Sequence, residues 1–402
     1  MEKNQRIILV YRLVQFLSWI VSTFIFRRKI LRNEVKGKKG PFAIIANHQA
    51  SLDFVNLIGV TRRPITFVIS QSIYNSSPVK WFMTRLGIIP KQQFQTTLKD
   101  MRRMKEVIDA GEILAIYPAG LMCEDGLPTP IPTGTYQFLR WLRTDIYVAR
   151  TTGMYFCMPK WTKGMRAGRT HLDVYKLFSR EELESADLET VKRKTEEALG
   201  FDAYREQEQM MVRYSKGGCI EGLQNVLYTC PHCKTEFSMQ VKEKSVIYCT
   251  ACGFAHKSDA YGFLHDVGGV GREVRYVSDW SRMIHDELKD KITRGEENTL
   301  SASTAIHMID EGKNKFVEVG QGRVTLNAEG FVLEGRIRDE DVHLEIPIVT
   351  FASLPFKPGK NFEVQHGSDI YRCVLADGGL AMKFIHMVKI YYELHEAAHA
   401  KS

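Results

Sequence analysis

At 402 residues the chain exceeds what one hydrophobic core usually organises, so two or three domains are expected. Apolar residues make up 44% and charged residues 25%, which excludes a disordered or fibrous chain. Lysine and arginine number 55 against 47 aspartates and glutamates, a net +8 whose placement matters more than its size.

The first apolar stretch, 7–26, is long enough to reach across a bilayer core as a helix, at about 1.5 Å per residue over about 30 Å. Its polar members Arg12, Gln15, Ser18, Ser22 and Thr23 fall on one stripe at about 100° per residue. A stripe holding an arginine suits a helix lying in the interface, with spanning and packing on the protein's own core as the rivals. Directly after it come Arg27, Arg28, Lys29, Arg32, Lys36, Lys38 and Lys39 against the single acid Glu34, a flank suited to anionic head groups. Residues 1–40 are therefore expected to bind a membrane peripherally or monotopically from its cytoplasmic face. No small-residue cleavage site follows, so a secretory signal is not expected. No later run of 18 apolar residues occurs, which rules out a polytopic membrane protein.

Between 41 and 215, apolar runs alternate with helical periodicity. Strands are predicted at 42–46, 65–70, 113–117, 146–149 and 171–178, and helices at 101–110, 135–143 and 188–199, the pattern of an α/β domain with a largely buried sheet. A cysteine cluster occupies 226–262, and a connector with a charged helix at 278–296 fills 263–311. The last region, 312–402, has short strands at 316–319, 323–326, 331–336, 343–346, 362–365 and 371–375, closed by an amphipathic helix at 380–395.

Directly after the first predicted strand of the α/β region stands Asn47-His48-Gln49-Ala50-Ser51-Leu52-Asp53. Five positions on a regular helix turn through about 140°, so His48 and Asp53 meet only if the segment is a turn running into a helix. A strand–turn–helix junction supplies that. Asp53 can then fix the tautomer of His48, whose other nitrogen takes a proton from an attacking hydroxyl. Ser51 reads as a helix N-cap as readily as a nucleophile.

This block, followed in order by LGIIPKQQ (86–93), YPAG (117–120) and YVART (147–151), resembles the glycerolipid acyltransferases, the lysophosphatidic acid acyltransferase family. The resemblance covers about residues 1–215. It implies an α/β acyltransferase domain in which His48 is the general base and Asp53 its partner, moving an acyl group from a thioester to a lipid hydroxyl. It also implies substrate contacts from Asn47, Lys91, Pro118 and Gly120, with backbone amides near Gly120 holding the oxyanion. The third block of the family is usually Phe-Pro-Glu-Gly followed by Thr-Arg, whereas this chain has Tyr117-Pro118-Ala119-Gly120-Leu121-Met122. An arginine commonly closes the second block, where this chain has Gln92 and Gln93 after Lys91. The charged groups thought to hold the acceptor phosphate are thus altered, and Lys91 is left as a point charge. The expectation is an acyltransferase whose acceptor is a lysophospholipid or related lipid other than a simple glycerol phosphate. Membrane lipids are the expected partners, with acyl-CoA, acyl carrier protein or an acyl phosphate as donor. The rival is a catalytically inactive lipid-binding adaptor on the same fold.

Cys230, Cys233, Cys249 and Cys252 form CxxC-x15-CxxC. Two such knuckles on a small β unit offer four thiolates to a structural Zn²⁺ and leave no open position for metal catalysis. His232 is expected to be exposed, and Cys123, Cys157, Cys219 and Cys373 to be ordinary thiols of a reducing compartment. The ribbon lacks a basic–aromatic face, so no nucleic acid is expected; stabilisation or a protein partner is its role. The C-terminal strands with their helix are similar to the pleckstrin-homology-like superfold. Lys357, Lys360 and Arg372 there are read as solvated surface charge.

Overall fold

The computed structural model describes residues 2–78, 80–91, 97–310, 312–347 and 352–399, and the side chains of 9–398 within those spans. The chain forms two compact units: residues 1–123, 131–158 and 165–214 make the first, and 124–130, 159–164 and 215–402 the second.

In the first unit, α1 (Glu2–Ile20) runs through a π-helical turn at Val21–Ile25 into β1 (Lys29–Asn33). There follow β2 (Phe42–Ala46), α2 (Asp53–Leu57), β3 (Ile65–Ser70), α3 (Gln71–Asn75), α4 (Lys80–Arg85), β4 (Ile89–Lys91), α5 (Leu98–Asp109) and β5 (Ile113–Ile116). Then come α6 (Gly134–Leu142), β6 (Ile146–Thr152), α7 (Met154–Cys157), β7 (His171–Phe178), α8 (Arg180–Ser185), α9 (Leu188–Leu199) and α10 (Ala203–Met210). The strands make one sheet in the order β1-β7-β6-β2-β5-β3-β4. Among the described residues only β6 and β7 pair antiparallel; β2, β5, β3, β4 and β6 all run one way.

Period-two alternation divides β2 between two cores, as a sheet covered on both faces requires. Ala43 and Ile45 pack with Met104, Ile108, Leu139, Leu142, Val191 and Leu199 from α5, α6 and α9. Phe42, Ile44 and Ala46 pack with Val35, Leu57, Val60, Leu172 and Val174 on the other face. Capping is explicit: Thr97 and Asp100 form a capping box on α5, and Ser179 and Glu182 form one on α8.

Two features depart from the expected N-terminal arrangement. Part of the basic flank is strand, because Lys29–Asn33 pairs parallel with β7 and Arg32 forms a two-point ion pair with Asp173 at 2.8 and 2.9 Å. The helix also turns part of its polar side inward. The Tyr11 hydroxyl donates to the Ile58 carbonyl and accepts from Ile65 N–H, and Gln15 donates to the Ile58 and Thr61 carbonyls. Ser18 and Ser22 are buried as well, while Leu9, Leu13, Phe16, Leu17, Trp19 and Phe24 are half exposed or more. Gln15, Ser18 and Ser22 of the polar stripe face inward and Gln15 bonds the loop after α2, while Arg12 and Thr23 are exposed beside an outer face that is largely apolar.

The second unit holds two sheets. β8 (Met239–Lys242), β9 (Val246–Cys249), β10 (Ala255–Ser258) and β11 (Leu264–Asp266) form an antiparallel ribbon in the order β11-β10-β9-β8. After α11 (Val277–Thr293) come β12 (Leu300–Asp310), β13 (Lys315–Leu326), β14 (Gly330–Ile337), β15 (Glu340–Pro347), β16 (Phe356–Lys357), β17 (Asn361–His366) and β18 (Asp369–Leu375). They form one antiparallel sheet ordered β15-β14-β13-β12-β18-β17-β16, followed by α12 (Leu380–His399).

Four expectations are corrected here. The stretch 263–311 is not a purely helical connector: β11 extends the ribbon and β12 is the central strand of the large sheet. The buried positions of β12 are Ala302, Thr304 and Ile306, of which Ile306 alone is large and apolar, so the chain offers little apolar alternation there. The strands predicted at 316–319 and 323–326 are one strand, β13. Finally, α12 is buried nearly all round over 381–391 rather than amphipathic; even Lys383 and His386 are enclosed, Lys383 paired with Glu236 and Glu297. Arg372 likewise is not solvated: its guanidinium lies 3.4 Å over the Phe316 ring and 2.7 Å from Glu363, whereas Lys357 and Lys360 are exposed.

Candidate active site

The motif blocks, separated by up to a hundred residues in sequence, gather because the strands carrying them are neighbours running in one direction. The 47–53 turn leaves the C-terminal end of β2; the 117–123 turn leaves β5 on one side, and β6 carries 147–151 on the other. β3 and β4 follow, with Ser70 opposite Lys91. The carboxyl ends of parallel strands are where open α/β sheets place their ligands.

In the 47–53 turn one carboxylate oxygen organises everything. Asp53 Oδ2 accepts from His48 Nδ1–H at 2.9 Å, from Gln49 N–H at 2.7 Å and from Ala50 N–H at 3.0 Å. An oxygen that gathers three donors is an acceptor, so the His48 hydrogen sits on Nδ1 and its Nε2 is left with a lone pair. The Asp53 side chain is 1% exposed and that of His48 18%, so the carboxylate is sealed while the imidazole keeps an open edge. Ser51 is not the helix cap: α2 starts after Leu52 with no side-chain cap, and the Asp53 carboxylate serves the preceding amides.

The turn is braced from several directions. Asn47 is buried, and its amide forms a closed pair with Thr151, donating to the carbonyl and accepting from the N–H at 2.8 Å each. That commits the Asn47 amide to the backbone of β6. Gln49 accepts from Tyr155 N–H at 3.2 Å, and Cys123 N–H donates to the His48 carbonyl at 3.1 Å. Tyr117 stacks on the His48 imidazole with ring centroids 4.4 Å apart. Its hydroxyl is buried with no hydrogen-bond partner among the described residues, and burial, helped by the nearby Asp53 charge, raises its pKa well above the ordinary value. Sequence reasoning missed these braces; the signal for Thr151 and Gln49 was their presence inside the motif blocks.

Pro118 is buried at the start of the 117–120 turn, and Gly120, exposed at φ +68°, donates its N–H to the Tyr117 carbonyl at 2.9 Å. Lys91 ends β4 and is largely enclosed; burial lowers its pKa, with Asp100 acting in the other direction. Gln92 and Gln93 lie outside the described residues. Arg150 pairs with Glu206 at 2.7 Å, which opposes the upward push that burial gives this carboxyl.

In the second unit the four knuckle sulfurs converge. All lie within 4.8 Å of one another, with Cys230–Cys252 and Cys233–Cys249 each at 3.7 Å. Four thiolates about 2.3 Å from a tetrahedral Zn²⁺ lie about 3.8 Å apart, so the donor set fits that ion in size and chemistry. The Thr235 hydroxyl beside Cys233 helps draw that thiol down to about 6, while burial pushes Cys230 up. His232 is exposed, and Cys123, Cys157 and Cys373 are buried thiols outside any disulfide.

Residues 11–152 match the acyltransferase family. Among solved structures, the 1-acyl-sn-glycerophosphate (LPA) acyltransferase PlsC from Thermotoga maritima is similar at 15% identity and a TM-score of 0.42. It covers 52% of this chain and 81% of its own.

Proposed function

We propose that the protein transfers a fatty acyl group from an acyl thioester to the hydroxyl of a lysophospholipid or related lipid, with His48 as general base. One observation carries this reading: the Asp53 carboxylate holds His48 Nδ1 and leaves Nε2 as a proton acceptor on the open edge of the ring. Nε2 takes the hydroxyl proton as the oxygen attacks the thioester carbonyl. Collapse of the tetrahedral intermediate breaks the carbon–sulfur bond, and the proton passes from His48 to the departing thiolate. Ala119 and Met122, standing where the family usually carries charge, favour an acceptor held less by its phosphate than by its other groups.

The outward apolar face of α1, with the exposed Ile30 and Leu31 of β1, supports docking on the cytoplasmic face of a membrane, where a lysolipid hydroxyl is within reach. The ribbon holds a structural Zn²⁺ through Cys230, Cys233, Cys249 and Cys252; when bound, the ion supplies cross-linking of the two knuckles. The C-terminal region is pleckstrin-homology-like, supported by a four-strand meander and a three-strand meander joined through β12 and β18 and followed by a long helix.

The test is transfer of a labelled acyl thioester to a panel of lysolipids in vesicles, with His48→Ala beside it. Transfer lost in the variant is the expected result. Equal transfer by both would overturn the assignment of His48, and none by either would favour the lipid-binding adaptor.

A further inference from the structure

Between β3 and β4 the first unit carries a surface that is both apolar and basic. No acid occurs between Asp53 and Asp100, while Arg62, Arg63, Lys80, Arg85, Lys91 and Lys99 fall in that stretch. At the chain's average of 47 acids in 402 residues, a stretch of this length would hold about five. Within it α4 reads Lys-Trp-Phe-Met-Thr-Arg, and none of its residues is buried. A crossover between parallel strands ordinarily lays an apolar helix face on the sheet. Here Trp81 is 64% exposed, Ile73 of α3 is 52% exposed, and Phe82 and Met83 are only half-buried.

Polar contacts, rather than a core, hold this surface in shape. The Thr84 hydroxyl donates to the Lys80 carbonyl at 2.9 Å and therefore accepts from the Tyr74 hydroxyl at 2.6 Å, which joins α3 to α4. One helical turn from Trp81, the Arg85 guanidinium lies 3.5 Å from the centre of the indole ring, and Lys80 Nζ stands 5.8 Å from that of Tyr74. Among the described residues neither cation pairs with a carboxylate.

Amphipathic rings beside long-stemmed cations are what settles at the head-group level of a bilayer, with the rings among the upper acyl chains and the cations on phosphates. An aliphatic side chain such as Ile73 gains from that setting and adds nothing to stacking on nucleic-acid bases. We propose that α3 and α4 form a second lipid-facing surface, on which Ile73 and Trp81 enter an anionic membrane and Lys80 and Arg85 meet its phosphates. β2, β5 and β3 are parallel, so α3 leaves the sheet at the edge where the 47–53 turn leaves β2. Contact there turns the edge that carries His48 towards the head groups. The proposal rests on the membrane reading above and is independent of acyl transfer.

The test is co-sedimentation of the full-length protein with vesicles of phosphatidylglycerol and phosphatidylcholine in equal parts. Ile73→Glu with Trp81→Glu should lower partition roughly tenfold, and Lys80→Glu with Arg85→Glu should do the same. These four side chains lie outside the core, so melting temperatures should hold. Arg193→Glu, exposed on α9 of the same unit, is the charge control and should leave partition within about twofold. Independently, bromine-labelled acyl chains should quench the wild type more than Trp81→Phe; where a double variant fails to fold, this quenching decides alone. Unchanged partition in both double variants with equal quenching would overturn the proposal. A fall in the mass of the lipid-free protein on Trp81→Glu would also overturn it, by making the patch a contact between copies of the chain. Binding lost in Leu13→Glu with Phe16→Glu but kept in the α3 and α4 variants removes this surface and leaves α1 as the docking face. The converse leaves this surface and removes α1, and a wild type that binds no vesicle removes both.

Discussion

Replacing Asp53 by Asn tests the centre of the site, and the geometry dictates how the amide must sit. Gln49 and Ala50 N–H both point at the Oδ2 position, so the new NH₂ cannot occupy it without meeting two donors. The amide oxygen therefore takes that place, and the His48 tautomer survives. The NH₂ falls where Oδ1 lies buried without a partner, which costs about 1–3 kcal/mol of stability. What disappears is the negative charge facing the imidazolium formed when Nε2 accepts its proton. Nδ1 and Oδ2 are 2.9 Å apart, which puts the charge centres at about 4 Å. At an effective dielectric of about 20 the attraction is about 4 kcal/mol. The amide dipole keeps part of it, leaving a loss of about 2–4 kcal/mol, roughly 30- to 1,000-fold in kcat. Vesicle-based turnover, beside a thermal melt showing that the variant is folded, makes the measurement. Asp53→Asn retaining more than a third of wild-type kcat would refute the reasoning.

Other consequences are equally direct. Leu13→Glu and Phe16→Glu alter side chains more than half exposed on the outer face of α1, so they should leave folding intact and weaken sedimentation with anionic vesicles at least tenfold; unchanged partition would remove the membrane role of that face. The purified protein should carry one zinc per chain by elemental analysis, and Cys249→Ser should lose it and lower the melting temperature of the second unit, since metal binding at such sites is folding free energy. Burial alone would raise the Glu393 pKa, but His285 and Lys289 hold it down to about 2. Because the folded value lies below the ordinary one near 4.5, this pairing stabilises the fold above that pH and is lost as pH falls towards 2. Glu393→Gln should therefore be less stable than wild type at neutral pH, with the gap closing between about pH 4.5 and 2 in parallel denaturation curves; a gap independent of pH would contradict it.

Much of the first unit was legible in the chain itself. β2, β3, β7 and α9 fall where apolar patterning predicts them, β2 as a continuous apolar run buried on both faces and β7 as an alternating one. The two CxxC knuckles needed no fold to announce a metal-sized cluster, and the spacing of His48 and Asp53 implied a turn once a strand was seen before it. β12 was not legible, since Ile306 is the one large apolar side chain among its buried positions Ala302, Thr304 and Ile306, and the strand is fixed by the neighbours it pairs with, β13 and β18. The burial of Lys383, His386 and Lys389 was equally hidden, because their partners Glu236, Glu297 and Glu124 come from distant segments and Tyr228 lies 3.4 Å from His386.

The residues alone thus determined the strand–turn–helix holding the His48–Asp53 pair, the cysteine cluster and the two-faced character of α1. Local sequence acts over a few residues, and those features are closed within a few residues. Only the tertiary structure decided which face of α1 turns outward, because amphipathicity defines two faces and the carbonyls of Ile58 and Thr61 choose between them. It alone decided, too, that the loop after Cys123 belongs to the second unit, since a carboxylate reads as solvated until the fold supplies Lys389 and Ser281 to bury it.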